Sequence, residues 1–137
     1  MDQKLAMLAK VPLLAGLSQK DLVAVGSLSD EVDLPAGHVL MREGGSGNEF
    51  YVIVDGSVEV TRGGQGLRTL GPGDFLGEIA LVDRGPRTAT ATATTPVRAL
   101  VVGVREFHSL MDAHASIRSC VLTALAQRVR HLEPDAS

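Results

Sequence analysis

The chain has no tryptophan, a single tyrosine (Tyr51) and three phenylalanines, so aromatic residues make up 3% of its 137 positions. That scarcity excludes recognition built on stacked aromatic side chains, the common platform for single-stranded nucleic acid. A basic stripe is missing too. The formal charge is −3, with 13 Lys and Arg against 16 Asp and Glu, so direct binding to a nucleic acid is not expected. Cys120 stands alone, which excludes an intrachain disulfide. Its place on the apolar stripe of a predicted helix points to a buried structural thiol.

No apolar run reaches the length of a membrane-spanning helix, and no membrane association is expected. A faint signal-peptide pattern in Met1 to Leu17 is interrupted by Asp2 and Lys10, and a cytoplasmic location follows. Metal ligands are sparse. His38 is the only histidine among the predicted strands, and His108, His114 and His131 fall in the C-terminal part. His108 and Asp112 share a helix face, but two ligands make a poor site. No nucleophile and base with a supporting third group stand out either, so no enzymatic activity is expected.

What is present is ample apolar material, 45% of the residues, at a length that fits one domain spanning 1–137. Arginine outnumbers lysine ten to three and alanine is abundant, a composition that suggests a GC-rich bacterial genome. The first thirty residues read as helical. Ser18 is a good N-cap with Asp21 three positions on, and Gly26 marks the end of that helix. From Glu31 the apolar period changes to two. Strands are predicted from Glu31, from His38 to Arg42, from Glu49 to Val54, around Val58 and Val60, and from Leu67 to Leu70. The turns between them are Pro35-Ala36-Gly37, Gly44 to Asn48, Asp55-Gly56 and Gly63-Gly64-Gln65-Gly66.

Thr88, Thr90, Thr92 and Thr94 alternate with Ala89, Ala91 and Ala93, predicting a strand with hydroxyls on one face and small residues on the other. Val97 to Val104 is the last strand. The pattern is that of an antiparallel roll or barrel over 31–104, with helices over 1–30 and 105–133. Ile117, Val121, Leu125, Val129 and Leu132 line one face of the final helix. Packing on the roll accounts for that stripe; a homodimer seam is the alternative.

The most informative segment is Phe75-Leu76-Gly77-Glu78-Ile79-Ala80-Leu81, followed by Pro86-Arg87-Thr88-Ala89-Thr90. It sets one carboxylate and one guanidinium nine residues apart across a short helical turn, Gly77 to Val82, and the turn sequence Asp83 to Pro86. Arg87 then opens a strand. Such a pair suits a small ligand with one anionic phosphate and one sugar hydroxyl. Arg87 meets the phosphate with two parallel donors, and ionised Glu78, which only accepts, takes the hydroxyl. Gly77 lets the backbone approach closely, and a helix start favours an anion. A structural ion pair between Glu78 and Arg87 is the plainer alternative. Gly44-Gly45-Ser46-Gly47 precedes a strand, the wrong context for a nucleotide-binding glycine motif.

With Gly44, Gly47, Tyr51, Ile53, Gly56, Gly71 and Gly73 upstream, these residues resemble the cyclic-nucleotide-binding domain family, which includes bacterial transcription activators and kinase regulatory subunits. The resemblance covers roughly Leu13 to Leu132. It implies an eight-stranded antiparallel β-roll with N- and C-terminal α-helices and no catalysis. It also implies ligand binding by Gly77, Glu78, Ile79, Ala80, Arg87 and Thr88, with the N–H groups of Ile79 and Ala80 along the sugar-phosphate. The ligand would be cyclic AMP or cyclic GMP, cyclic AMP being favoured, with no other cofactor. Leu81 would contact the hinge before the last helices. No effector region after the roll resembles a helix-turn-helix, so a sensor acting on an unknown effector protein is expected. The alternative is a degenerate roll kept as a protein-interaction module.

Overall fold

A computed structural model of the chain describes residues 3–11, 14–77 and 85–132. Two helices come first, α1 (Gln3–Ala9) and α2 (Gln19–Gly26), then eight strands: β1 (Ser29–Leu34), β2 (Val39–Met41), β3 (Glu49–Asp55), β4 (Val58–Arg62), β5 (Gln65–Leu70), β6 (Phe75–Leu76), β7 (Thr90–Ala93) and β8 (Val97–Gly103). Helices α3 (Val104–Ala113) and α4 (Ala115–Leu132) follow. The strands form two antiparallel four-stranded sheets, ordered β1-β8-β3-β6 and β2-β7-β4-β5. Consecutive strands mostly alternate between sheets, which is the eight-stranded antiparallel β-roll that the family resemblance implies.

The burial pattern explains the sequence of the central strands. Strand β3 is buried at four successive positions, Phe50 to Ile53. Phe50 and Val52 join Leu100 and Val102 of β8 in a core shared with Leu8, Leu14, Leu22, Val25, Phe107, Ile117 and Val121 of the helical layer. Tyr51 and Ile53 point the other way, into the roll, with Val58, Val60, Leu70, Leu76 and Ala99. The first sheet is therefore covered on both faces, by helices outside and by the second sheet inside. A strand in that position loses its polar face and reads as a continuous apolar run. At Ala89, Ala91 and Ala93, 5% or less exposed, the small side chains face the roll interior, where they make room for Tyr51 and its neighbours.

Several local expectations shift by a few residues. The four-residue turn at 63–66 contracts to two, since Arg62 pairs with Gln65. Gly63 and Gly64 carry φ of 58° and 82°, the left-handed pair that a tight hairpin requires. Gln65 and Gly66 belong to β5. Ser18 caps α2 as expected, its hydroxyl accepting from the Asp21 amide at 3.2 Å. The Asp21 carboxylate instead accepts from Ser116 Oγ of α4 at 2.7 Å. Gly26 is the last residue of α2, and the cap is Ser27 in right-handed geometry. Gly26 is needed for packing, because a Cβ there would lie 2.9 Å from Leu5 of α1.

Cys120 is half-buried, packed against the helical core beside Gly16 rather than fully enclosed. Of the C-terminal stripe, Ile117 and Val121 are fully buried. Leu125, Val129 and Leu132 have side chains outside the described ones. No helix among the described residues is long and apolar enough to cross a membrane.

Candidate functional site

Arg87 does not open a strand. It lies in the coil before β7, which starts at Thr90. Its backbone is held all the same: the Gly44 amide donates to Arg87 O and the Arg87 amide to Gly45 O, both at 2.8 Å. This two-bond ribbon places the side chain at the mouth of the roll. The guanidinium bridges the start of β3 and the end of β6, Nη2 donating to the Glu49 carbonyl at 2.5 Å and Nη1 to the Gly77 carbonyl at 3.4 Å. Nε is the one buried side-chain polar atom among the described residues that has no hydrogen-bond partner.

Two glycines make this position sterically accessible. A Cβ on Gly47 would lie 2.7 Å from Arg87 Nε and 2.8 Å from Cζ. A Cβ on Gly77 would lie 2.7 Å from Nη1 and 2.7 Å from the Glu49 carbonyl, and Gly77 has φ +82° besides. Only glycine satisfies both demands at position 77. Gly47 does not need an unusual φ; it is required because the planar guanidinium lies directly on its backbone.

The Arg87 guanidinium is therefore held in place by two backbone carbonyls, and no carboxylate of the described residues is shown paired with it. Arg98 of β8 forms ion pairs with Glu31 and Asp33 of the neighbouring strand β1. Burial pushes the Arg87 guanidinium below its ordinary pKa, while Tyr51 and Glu49 act to raise it; as a guanidinium it stays a cation. Tyr51 is the buried neighbour on the roll side. Its hydroxyl donates to Leu40 O at 3.3 Å, and its pKa is raised by burial, then by Glu49, and lowered by Arg87. A half-buried cation whose hydrogen-bond partners among the described residues are neutral carbonyls is a ready partner for an anion.

Of the six predicted site residues, the structure brings Gly77 and Arg87 into direct contact and sets Thr88 beside them, exposed, its carbonyl accepting from Arg62 Nε at 2.9 Å. Glu78, Ile79 and Ala80 lie outside the described residues, as do Leu81 and the predicted helical turn. A cavity of about 710 Å³ adjoins the site through Gly47 and Glu49 and is also walled by Leu28, Asp30, Val101 and Glu106. Arg87 is not one of its walls. Asp30, Glu49 and Glu106 line it against the single Arg105, a charge set that disfavours an anion. No group of three or more metal-ligating side chains occurs among the described residues.

Sequence reasoning passed over Glu49, Glu43 and Arg62. Glu49 contributes through its backbone carbonyl, which carries no residue-specific signal. Glu43 and Arg62 look like ordinary charged residues in a turn and at a strand end.

A model of the cyclic nucleotide-binding domain matches residues 31–114. The chain is 33% identical over 129 residues to a CRP-like cAMP-activated global transcriptional regulator of Mycobacterium tuberculosis, covering 90% of this chain and 58% of that protein. It thus spans little more than half of that relative. Among solved structures, the N-terminal domain of a transcriptional regulator from Streptomyces coelicolor superposes with a TM-score of 0.87 at 31% identity, over 96% of this chain and 95% of the other. The regulatory domain of Toxoplasma gondii PKA, crystallised with cAMP, superposes with a TM-score of 0.74 at 29% identity, over 79% of this chain and 43% of the other.

Proposed function

The chain belongs to the cyclic nucleotide-binding domain family, and on that premise we propose that it is a sensor of cyclic AMP, which it binds in preference to cyclic GMP and without chemical turnover. The observation that carries the reading is the Arg87 guanidinium: half-buried, seated on Gly47, bridging Glu49 O and Gly77 O, and lacking a carboxylate partner among the described residues. A cyclic phosphodiester supplies the single negative charge that this cation lacks. Gly77 and the N–H groups of Ile79 and Ala80 line the sugar-phosphate, Glu78 accepts the ribose 2′-hydroxyl, and Thr88 borders the phosphate or the base.

The preference for cyclic AMP is supported by the cAMP-activated and cAMP-bound relatives. A charged phosphodiester does not cross a bilayer unaided, so its sensor belongs in the compartment that makes it, which we take to be the cytoplasm. The output passes to an effector protein. The net charge of −3 gives no reason to add nucleic acid to the partners of these residues.

Calorimetric titration with cyclic AMP and cyclic GMP tests the reading. We expect saturable binding of both, tighter for cyclic AMP. Arg87→Ala is expected to cost about 2–5 kcal/mol of binding, the usual cost of stripping one partner from a buried charge pair, with the thermal unfolding midpoint nearly unchanged. Absence of heat with either nucleotide at millimolar concentration would favour the interaction-module alternative.

A further inference from the structure

Arg87 and Thr88 belong to a short segment, residues 87–89, that precedes β7 and is not paired in the sheet. Strand β4 pairs with β7 only as far as Thr61 opposite Thr90. Beyond that point side chains replace the ladder. Arg62 Nε donates to Thr88 O at 2.9 Å. The next backbone amide, Gly63 N, donates to the Glu43 carboxylate at 3.0 Å. The Glu43 amide donates to Thr90 Oγ1, also at 3.0 Å, and the following residues, Gly44 and Gly45, hold both backbone groups of Arg87.

The bonds close a ring. It runs from the tip of the β4–β5 hairpin through Glu43 to Thr90, along the chain to Thr88, and back through Arg62. Every link is a named donor and acceptor, and each of the two charged side chains makes one bond that no β-ladder supplies. Resting on the ligand-binding reading above, we infer that Arg62 and Glu43 are positioning residues for the phosphate clamp. They hold the 87–89 segment and its junction with β7 at Thr90 from the hairpin side, as the 44–45 ribbon holds it from the other, so that the Arg87 guanidinium is aimed before ligand arrives. Neither touches the ligand. Their contribution is preorganisation, which raises affinity by lowering the ordering cost of binding.

The test uses Arg62→Ala, Arg62→Lys and Glu43→Gln in the full chain. Cyclic AMP affinity is measured by calorimetry, and backbone amide exchange at Arg87 is measured without ligand. Arg62→Ala is expected to weaken cyclic AMP binding about 3- to 10-fold, the range of one net hydrogen bond, with the unfolding midpoint unchanged. The Arg87 amide should exchange faster by a similar factor, while amides of Val97 to Val102 stay as they were. Arg62→Lys, which keeps a charged donor, should recover most of both losses, and Glu43→Gln should lie between. In an Arg87→Ala background Arg62→Ala should change affinity less than about 2-fold, because the clamp it aims is gone and the two effects couple.

Equal weakening in both backgrounds would overturn the inference, as would unchanged Arg87 exchange or failure of lysine to rescue. Were the unaltered protein to bind neither nucleotide, the ligand reading would fail on its own. The exchange measurement would still decide whether Arg62 and Glu43 hold the segment.

Discussion

The proposed function concentrates its chemistry at one side chain, Arg87. It was singled out in the sequence because Gly77-Glu78, the apolar run after them and Pro86-Arg87-Thr88-Ala89-Thr90 together resemble the family's ligand-binding segment. Its surroundings were not. The guanidinium stacks on Gly47, forty positions upstream, and bonds to a carbonyl of Glu49; both contacts depend on how two sheets close over each other. The steric demand gives a direct test. Gly47→Ala introduces a Cβ 2.7 Å from Arg87 Nε at a backbone conformation that alanine tolerates, so the arginine must move. We expect about 10- to 100-fold weaker cyclic AMP binding, the equivalent of one misaligned charged hydrogen bond at roughly 1.5–3 kcal/mol, with little change in stability. Unchanged affinity in an equilibrium titration would mean that the guanidinium position is not what sets binding.

Among the elements, periodicity found the strands and lost their ends. Alternation located β1, β4 and β7, and the apolar run located β3, because half-buried and fully buried strands leave those marks. The boundary at Arg87 was missed for a physical reason. Thr88 and Ala89 continue the alternating pattern although no neighbouring strand pairs with them, and composition does not report where a partner stops. The α2 cap was read correctly at Ser18, but the role of Asp21 was not, since its acceptor function is taken by Ser116, 95 residues away.

That contact ties the start of α2 to the start of α4 and should be measurable. Asp21 is 8% exposed, so removing its hydroxyl donor leaves a carboxylate under-bonded. A double-mutant cycle with Asp21→Ala and Ser116→Ala should give a coupling of about 1–3 kcal/mol in chemical denaturation. Additive losses would show that the bond contributes nothing beyond local packing.

On the scale of the whole molecule, three layers stand in order: helices, the β1-β8-β3-β6 sheet, and the β2-β7-β4-β5 sheet. The general architecture was readable because a chain of short strands and close turn signals has few compact solutions. The sheet assignment was not, since Pro35-Ala36-Gly37 and Asp55-Gly56 look like hairpin turns and instead carry the chain from one sheet to the other. Gly56 shows why: a Cβ there would fall 2.3 Å from Pro96 O, a crossing too close for any side chain. The same closure brings Gly44 to Glu49, Gly77 and Arg87 together, so the layered fold builds the proposed anion site from three separate stretches of sequence.

The most direct measurement is a crystal structure of the chain grown with cyclic AMP. The expected result is nucleotide density at the mouth of the roll, its phosphate oxygens within hydrogen-bonding distance, about 3 Å, of the Arg87 guanidinium and its ribose hydroxyl on the Glu78 carboxylate. Nucleotide bound elsewhere, with Arg87 still committed to Glu49 and Gly77 alone, would contradict the claim that this cation is the phosphate clamp.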